Sequence, residues 1–221
     1  QILGRKGTIG CVSLEITQRC NLDCSLCYLS ESSALVTDMP IEELYRRLDE
    51  IINFYGPGTN VQISGGDPTL RDRGELLAIV RYARKIGLHP ALFTNGKKCS
   101  RELLEELSEA GLSDVAFHVD LTQNLKGYET EADLNKLRSE LIERARGLPL
   151  LVIFNTTVHE SNFKEIPAVV EFFIKNSDVV GMASFQLQAD TGRGVLHQRP
   201  ELISLETVQK KVSQGAGNLL P

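Results

Sequence analysis

Six short β-type runs alternate with helix-period stretches along most of the chain, and this alternation limits the fold more than any other feature. The runs are Val12–Thr17, Asn60–Ser64, Pro90–Thr94, Asp114–Asp120, Leu150–Thr156 and Val179–Gln188. Several are almost entirely apolar ("LLVIFNTT", "DVVGMASF"), as strands are when both faces of a sheet are covered. A strand, a helix and a second strand in succession make a parallel pair through a right-handed crossover. Six such units build a parallel α/β sheet. It is either an open doubly wound sheet or a partial barrel, and the pattern alone does not choose.

The helical stretches carry their own punctuation. Apolar residues at Ile41, Leu44, Tyr45, Leu48, Ile51, Ile52 and Tyr55 follow helical spacing. Pro40 serves as the first helical residue and Gly56 as the stop. In "DRGE", Asp72 caps a second helix that ends at Gly87, with Glu75 placed to reach back. Further helices are expected over Ser100–Gly111, Glu131–Arg146, Phe163–Asn176 and Leu205–Gln214.

Composition narrows the class. With 221 residues, 42% hydrophobic and 24% charged, the chain suits one globular core domain spanning 1–221. It opens at Gln1 rather than Met, so a piece of a longer protein is expected. A net charge of -5 gives no polyanion-binding signature, and nucleic acid is not expected as a partner. No apolar run approaches the roughly 20 residues of a membrane span, and no signal peptide opens the sequence. Cysteines at 11, 20, 24, 27 and 99 are odd in number and make a poor disulfide framework. A reducing, cytoplasmic setting follows, in which clustered thiols are metal ligands or redox groups.

In parallel α/β folds, ligands bind where the strands end. The first run is followed by Cys20, Cys24 and Cys27, and the second by "SGGDPT". After the third comes "TNG", after the fourth "LTQ" beyond Asp120, after the fifth "NTTVHESN", and after the sixth "QLQADTGRG". Turn preferences account for much of this polar character, but not for three cysteines in eight positions. A structural zinc site usually takes four protein ligands and a disulfide takes two cysteines. Soft thiolates select zinc, copper(I) or iron–sulfur clusters. A cluster normally has four cysteine ligands, so three leave one iron open to a substrate or cofactor.

The Cys20-x3-Cys24-x2-Cys27 loop, together with "SGGDPT" after the second strand, resembles the radical S-adenosylmethionine superfamily from about Val12 to about Gln188. We therefore take the fold class as α/β, a partial (β/α)6 TIM-like barrel with a parallel sheet. The resemblance implies a [4Fe–4S] cluster on Cys20, Cys24 and Cys27, with the open iron chelated by the amino and carboxylate groups of S-adenosylmethionine. An external one-electron donor would then drive cleavage to a 5′-deoxyadenosyl radical, which abstracts hydrogen from an unidentified substrate.

Gly65 and Gly66 are expected to let the backbone approach the ligand, with Asp67 meeting its ammonium. Asp67 stands where the family usually has glutamate, a carboxylate one methylene longer. Leu26 stands where the family commonly has an aromatic near the adenine, and the aromatic here follows at Tyr28. Thr94, Asn95, Asp120 (as a ribose contact), Asn155 and Gln188 complete the expected cofactor contacts. Gln186 and Gln188 should share one strand face. Cys11 and Cys99 are expected as buried small hydrophobes. His89, His118, His159 and His197 show no ligand-like spacing, though His118 can share a face with Asp120.

"MASFQLQADTGRG" and "CSLCY" more loosely resemble the branch near pterin-methylating and tetraether-lipid-forming radical enzymes, which implies methylation or C–C bond formation. The competing expectations are a peptide-modifying radical enzyme without its carboxyl-terminal cluster domain, and a non-catalytic iron–sulfur scaffold.

Overall fold

The computed structural model describes residues 10–196 and 199–217, so His197 lies outside the described residues. Six strands form one sheet in the sequential order β1 to β6: β1 Val12–Thr17, β2 Asn60–Gly65, β3 His89–Thr94, β4 Asp114–His118, β5 Leu151–Val158 and β6 Val180–Leu187. The pairings β1 with β2, β2 with β3 and β5 with β6 are parallel. Helices follow the strands: α1 Ile41–Tyr55, α2 Arg73–Lys85, α3 Arg101–Glu109, α4 Glu131–Ala145, α5 Ile166–Lys175 and α6 Leu205–Ala216. This is the expected α/β architecture of six successive β/α units.

The expected boundaries hold to within a few residues, and the exceptions have local causes. Pro40 is the N-cap of α1 and not its first residue. Asp72 caps α2 by accepting from the Glu75 N–H, but the Glu75 carboxylate accepts from Arg71 instead of closing a capping box. β4 stops at His118 because Asp120 turns to cap a short 3-10 turn over Leu121–Gln123. Pro167 in the first turn of α5 fixes that helix's start at Ile166.

The chain packs as two compact units. The first comprises residues up to Asn21, Ser33–Ala116 and Leu148–Leu150. Its core combines β-strand residues such as Ile16, Val61, Ile63 and Leu92 with the buried faces of α1 (Leu44, Leu48), α2 (Leu76, Ile79, Val80) and α3 (Leu104, Leu107). The second comprises Leu22–Ser32, Phe117–Gly147 and Leu151 onward. There Val158, Phe163, Ile166, Val170, Ile203 and Val208 form one apolar cluster between β5, α5 and α6. A fully buried Arg138–Glu131 ion pair lies in this unit, with Asn162 donating to Glu131 at 2.7 Å and Arg138 to the Val119 carbonyl at 2.9 Å.

Candidate functional site

In the first unit, the chain leaving β1 is tied down before it reaches Cys20. The Gly66 and Asp67 N–H groups donate to the carbonyls of Thr17 and Arg19 at 2.9 and 2.8 Å. A Cβ on Gly66 would lie 2.2 Å from the Arg19 oxygen and 2.7 Å from the Gln18 oxygen. Gly65, at φ +126°, would place one 1.9 Å from the Thr17 oxygen. These glycines therefore admit the protein's own backbone. Arg71, itself buried, donates to the Ile16 carbonyl at 2.6 Å, and Thr17 Oγ1 donates to Asp38 at 2.5 Å.

Asp67 is fully buried. Its Oδ1 accepts from the Thr69 N–H at 3.0 Å and its Oδ2 from the Asn95 N–H at 2.9 Å. The Thr69 and Thr94 hydroxyls donate as well. A carboxylate so enclosed and so satisfied has no lone pair to offer a ligand ammonium, which corrects the expected contact. Its burial joins the turns after β2 and β3, and Asn95 carries the connection on: its Nδ2 donates to Asn21 Oδ1 at 2.7 Å and reaches Cys20 Sγ at 3.8 Å. The structure thus brings Cys20, Gly65, Gly66, Asp67, Thr94 and Asn95 together.

In the second unit, the rest of the cysteine loop rests on the end of β4. Ser25 N–H donates to the Thr122 carbonyl at 2.9 Å, and Thr122 N–H donates to Asp120 at 2.9 Å. Asp120 is fully buried and also accepts from the Thr157 N–H at 2.6 Å. Like Asp67, it holds loops in place, and the expected ribose contact is not where its oxygens point. Asn155 is buried within β5.

A cavity of about 560 Å3 opens in this unit, lined by Ser25, Leu26, Tyr128, His159 and Gln188 among others. Leu26 and Gln188 thus both line this cavity. Tyr28 is 49% exposed and does not line the cavity. Gln186 is exposed while Gln188 is buried, because β6 ends between them at Leu187. Cys99 is buried as expected, but Cys11 is exposed.

His159, which shows no ligand-like spacing in the sequence, lines the same cavity. Its Nε2 is buried in the cavity wall without a protein partner. Burial pushes its pKa down, against the pull of the Asp120 and Glu131 carboxylates. A neutral imidazole nitrogen left unpaired is one that an occupant of the cavity can satisfy. Only its place in "NTTVHESN", after a strand, hinted at this.

The Radical SAM superfamily model matches residues 14–173. The chain belongs to the radical SAM superfamily. Among its relatives, the 7,8-dihydro-6-hydroxymethylpterin dimethyltransferase of Methanocaldococcus jannaschii is 29% identical over 194 residues, 85% of this chain and 38% of that protein. The PqqA peptide cyclase of Bradyrhizobium diazoefficiens is 29% identical over 185 residues, 79% of this chain and 46% of that protein. The chain therefore spans less than half the length of either relative. Among solved structures, Streptococcus suis SuiB bound to its precursor peptide SuiA superposes with a TM-score of 0.70 at 16% identity, covering 96% of this chain and 47% of SuiB. That likeness establishes the shared fold, a partial TIM-like barrel. Radical SAM enzymes use a [4Fe–4S] cluster and S-adenosylmethionine.

Among the described residues, no three His, Cys, Asp or Glu side chains are gathered into a metal site as they stand, so the fit is judged on the donors. Cys20 is exposed, Cys24 and Cys27 are half-buried, and none is in a disulfide. Three accessible thiols in one loop match the chemistry of an iron–sulfur ligand set. The unpaired His159 nitrogen beside Leu26 and Gln188 matches a polar occupant for the cavity.

His118 Nε2 pairs with Asp120 Oδ2 at 2.9 Å. Burial opposes charge on both groups, but their attraction outweighs it: His118 is held above its ordinary 6.5 and Asp120 well below its ordinary 3.8. The raised histidine stabilises the fold fully below its unfolded value, and that contribution is lost as pH rises through the folded value. The depressed aspartate does so above its unfolded value and loses it in acid. His118→Gln should therefore cost about 1–3 kcal/mol between about pH 4 and pH 6.5, and progressively less as pH rises through the raised folded value. Thermal melts across that range check the sign, since a loss independent of pH would mean that the pair carries no charge.

Proposed function

We propose that residues 1–221 form the core domain of a longer radical SAM enzyme, with Cys20, Cys24 and Cys27 as the ligands of the [4Fe–4S] cluster. The observation that carries this reading is the cysteine loop itself, three thiols in eight residues, anchored at its root by the Gly66 and Asp67 N–H groups. When bound, the cluster and S-adenosylmethionine supply a 5′-deoxyadenosyl radical on receipt of one electron from an external donor.

The chain's own residues position and enclose. Asn95 orients Cys20 through its amide. Thr94, Gly65 and Gly66 shape the turns beside it, and Asp67 locks those turns together. Leu26 offers an apolar wall, and Gln188 and His159 offer polar groups, to the nucleoside or the substrate in the cavity. Tyr28, Asp120 and Asn155 support the surrounding loops and strand.

The substrate loses a hydrogen atom, and methylation or C–C bond formation follows, a reading supported by similarity to the pterin dimethyltransferase. Similarity to PqqA peptide cyclases supports a second reading, modification of a peptide. A reducing cytoplasmic location suits thiols that are unbridged among the described residues. No described helix is long and apolar enough to cross a membrane.

Anaerobic reconstitution with iron and sulfide, one-electron reduction with S-adenosylmethionine present, and mass analysis should yield 5′-deoxyadenosine. A loaded, reduced protein that releases none would instead be a scaffold.

A further inference from the structure

The segment after β6 forms a 3-10 turn over Gly192–Leu196 that folds back onto the cysteine loop. Arg193 N–H donates to the Cys27 carbonyl at 2.8 Å. Its guanidinium Nη1 donates to the Cys24 carbonyl at 3.1 Å and pairs with Asp23 at 2.6 Å. One residue therefore grips the loop at three points, beside two of the three thiols.

The approach depends on glycine. Gly192 sits at φ +54°, and a Cβ there would lie 2.1 Å from the Tyr28 oxygen and 2.6 Å from the Cys27 oxygen. Gly194 allows the turn to close, since a Cβ there would meet the Ala189 oxygen at 2.1 Å. The Arg193 side chain is only 19% exposed while Asp23 is 90% exposed. The cation is thus held against the loop, and the carboxylate reaches in from solvent.

We infer that Arg193 is a positioning residue that clamps the cysteine loop, restraining the backbone at Cys24 and Cys27 ahead of metal uptake and slowing loss of iron afterwards. The functional half of this rests on the cluster assignment above, whereas the clamp itself is a property of the polypeptide. A loop of eight residues from Cys20 to Cys27 has considerable conformational freedom to lose. Fixing two of its carbonyls from one residue, Cys27 through the Arg193 N–H and Cys24 through the guanidinium, removes much of that freedom before any metal arrives, which is preorganisation in the usual sense.

Two measurements separate the clamp from the cluster assignment. In the metal-free protein, hydrogen exchange over residues 22–29 should be about tenfold faster in Arg193→Ala than in the wild type. Arg193→Lys should be intermediate, because it keeps the charge. Asp23→Asn, at an exposed site that cannot unfold the chain, should speed exchange by about two- to fivefold. Equal exchange in wild type, Arg193→Ala and Asp23→Asn would overturn the clamp, whatever happens with iron. In the reconstituted protein, a chelator should strip iron about tenfold faster from Arg193→Ala, with partial rescue in Arg193→Lys and a shifted electron paramagnetic resonance signal for the reduced cluster. Iron loss and spectra identical to wild type would overturn the positioning role. A wild type that takes up no cluster at all would overturn the cluster assignment and the positioning role together, while the exchange experiment still decides the clamp.

Discussion

Replacing any one of Cys20, Cys24 or Cys27 by alanine should abolish the oxygen-sensitive [4Fe–4S] cluster, whereas Cys99→Ala and Cys11→Ala should leave it in place. A cluster already short of one cysteine ligand cannot spare a second. Cys99 is fully buried and Cys11 is exposed, but neither belongs to the loop. Cys99→Ala removes a packed sulfur and should cost stability only. Iron and sulfide analysis after anaerobic reconstitution, with the electron paramagnetic resonance signal of the reduced protein, reads all five variants. A fully loaded cluster in a protein lacking all three loop cysteines would end the assignment.

The second large effect is expected at Asp67, and on stability more than on ligand affinity. Each carboxylate oxygen faces a backbone N–H, Thr69 on one side and Asn95 on the other. Hydroxyls can rotate to suit a changed partner, but these N–H groups cannot. Asp67→Asn must therefore aim its NH2 at one of them in a site with no access to water. An orphaned buried donor costs about 1–3 kcal/mol, and each kcal/mol lowers the melting temperature of a chain this size by about 2–4 °C. Asp67→Glu adds a methylene to a closed site and should be no better, since overpacking costs about 1–3 kcal/mol. Calorimetric melts and titrations with S-adenosylmethionine discriminate the roles. A carboxylate that met the ammonium would lose affinity in Asp67→Asn with its melting temperature unchanged.

The contrast at Asp67 shows what the sequence could and could not convey. Strand and helix positions were legible because apolar spacing reflects burial directly, as at Leu44, Leu48 and Ile51 of α1. The cysteine loop was legible because three thiols at that spacing have few other uses. The partners of a buried carboxylate were not legible. Thr94 and Asn95 lie 27 and 28 residues beyond Asp67, and no local pattern records that the turns after β2 and β3 meet there. At Asp120 the donors from Thr122 and His118 are local, but the Thr157 N–H lies 37 residues on and no local pattern records it.

Gly65 and Gly66 were expected to let the backbone approach a ligand, and what lies against them is the chain's own backbone at Thr17 to Arg19. "GRG" was read as a branch signature, although its glycines and arginine have a local purpose against Cys24 and Cys27. His159 has no ligand-like spacing, and only the tertiary structure shows that its Nε2 is enclosed and unpaired.

The groups that anchor the root of the cysteine loop come from Arg71 and from the turns around Asp67 and Asn95. The walls of the cavity, apart from Ser25 and Leu26, come from residues 121–129, 159–161 and 188. On the proposed function, the groups that hold the cysteine loop and the groups that would meet a guest lie in different stretches of the polypeptide. A lineage built this way could exchange the second set through the later loops and leave the earlier turns as they are.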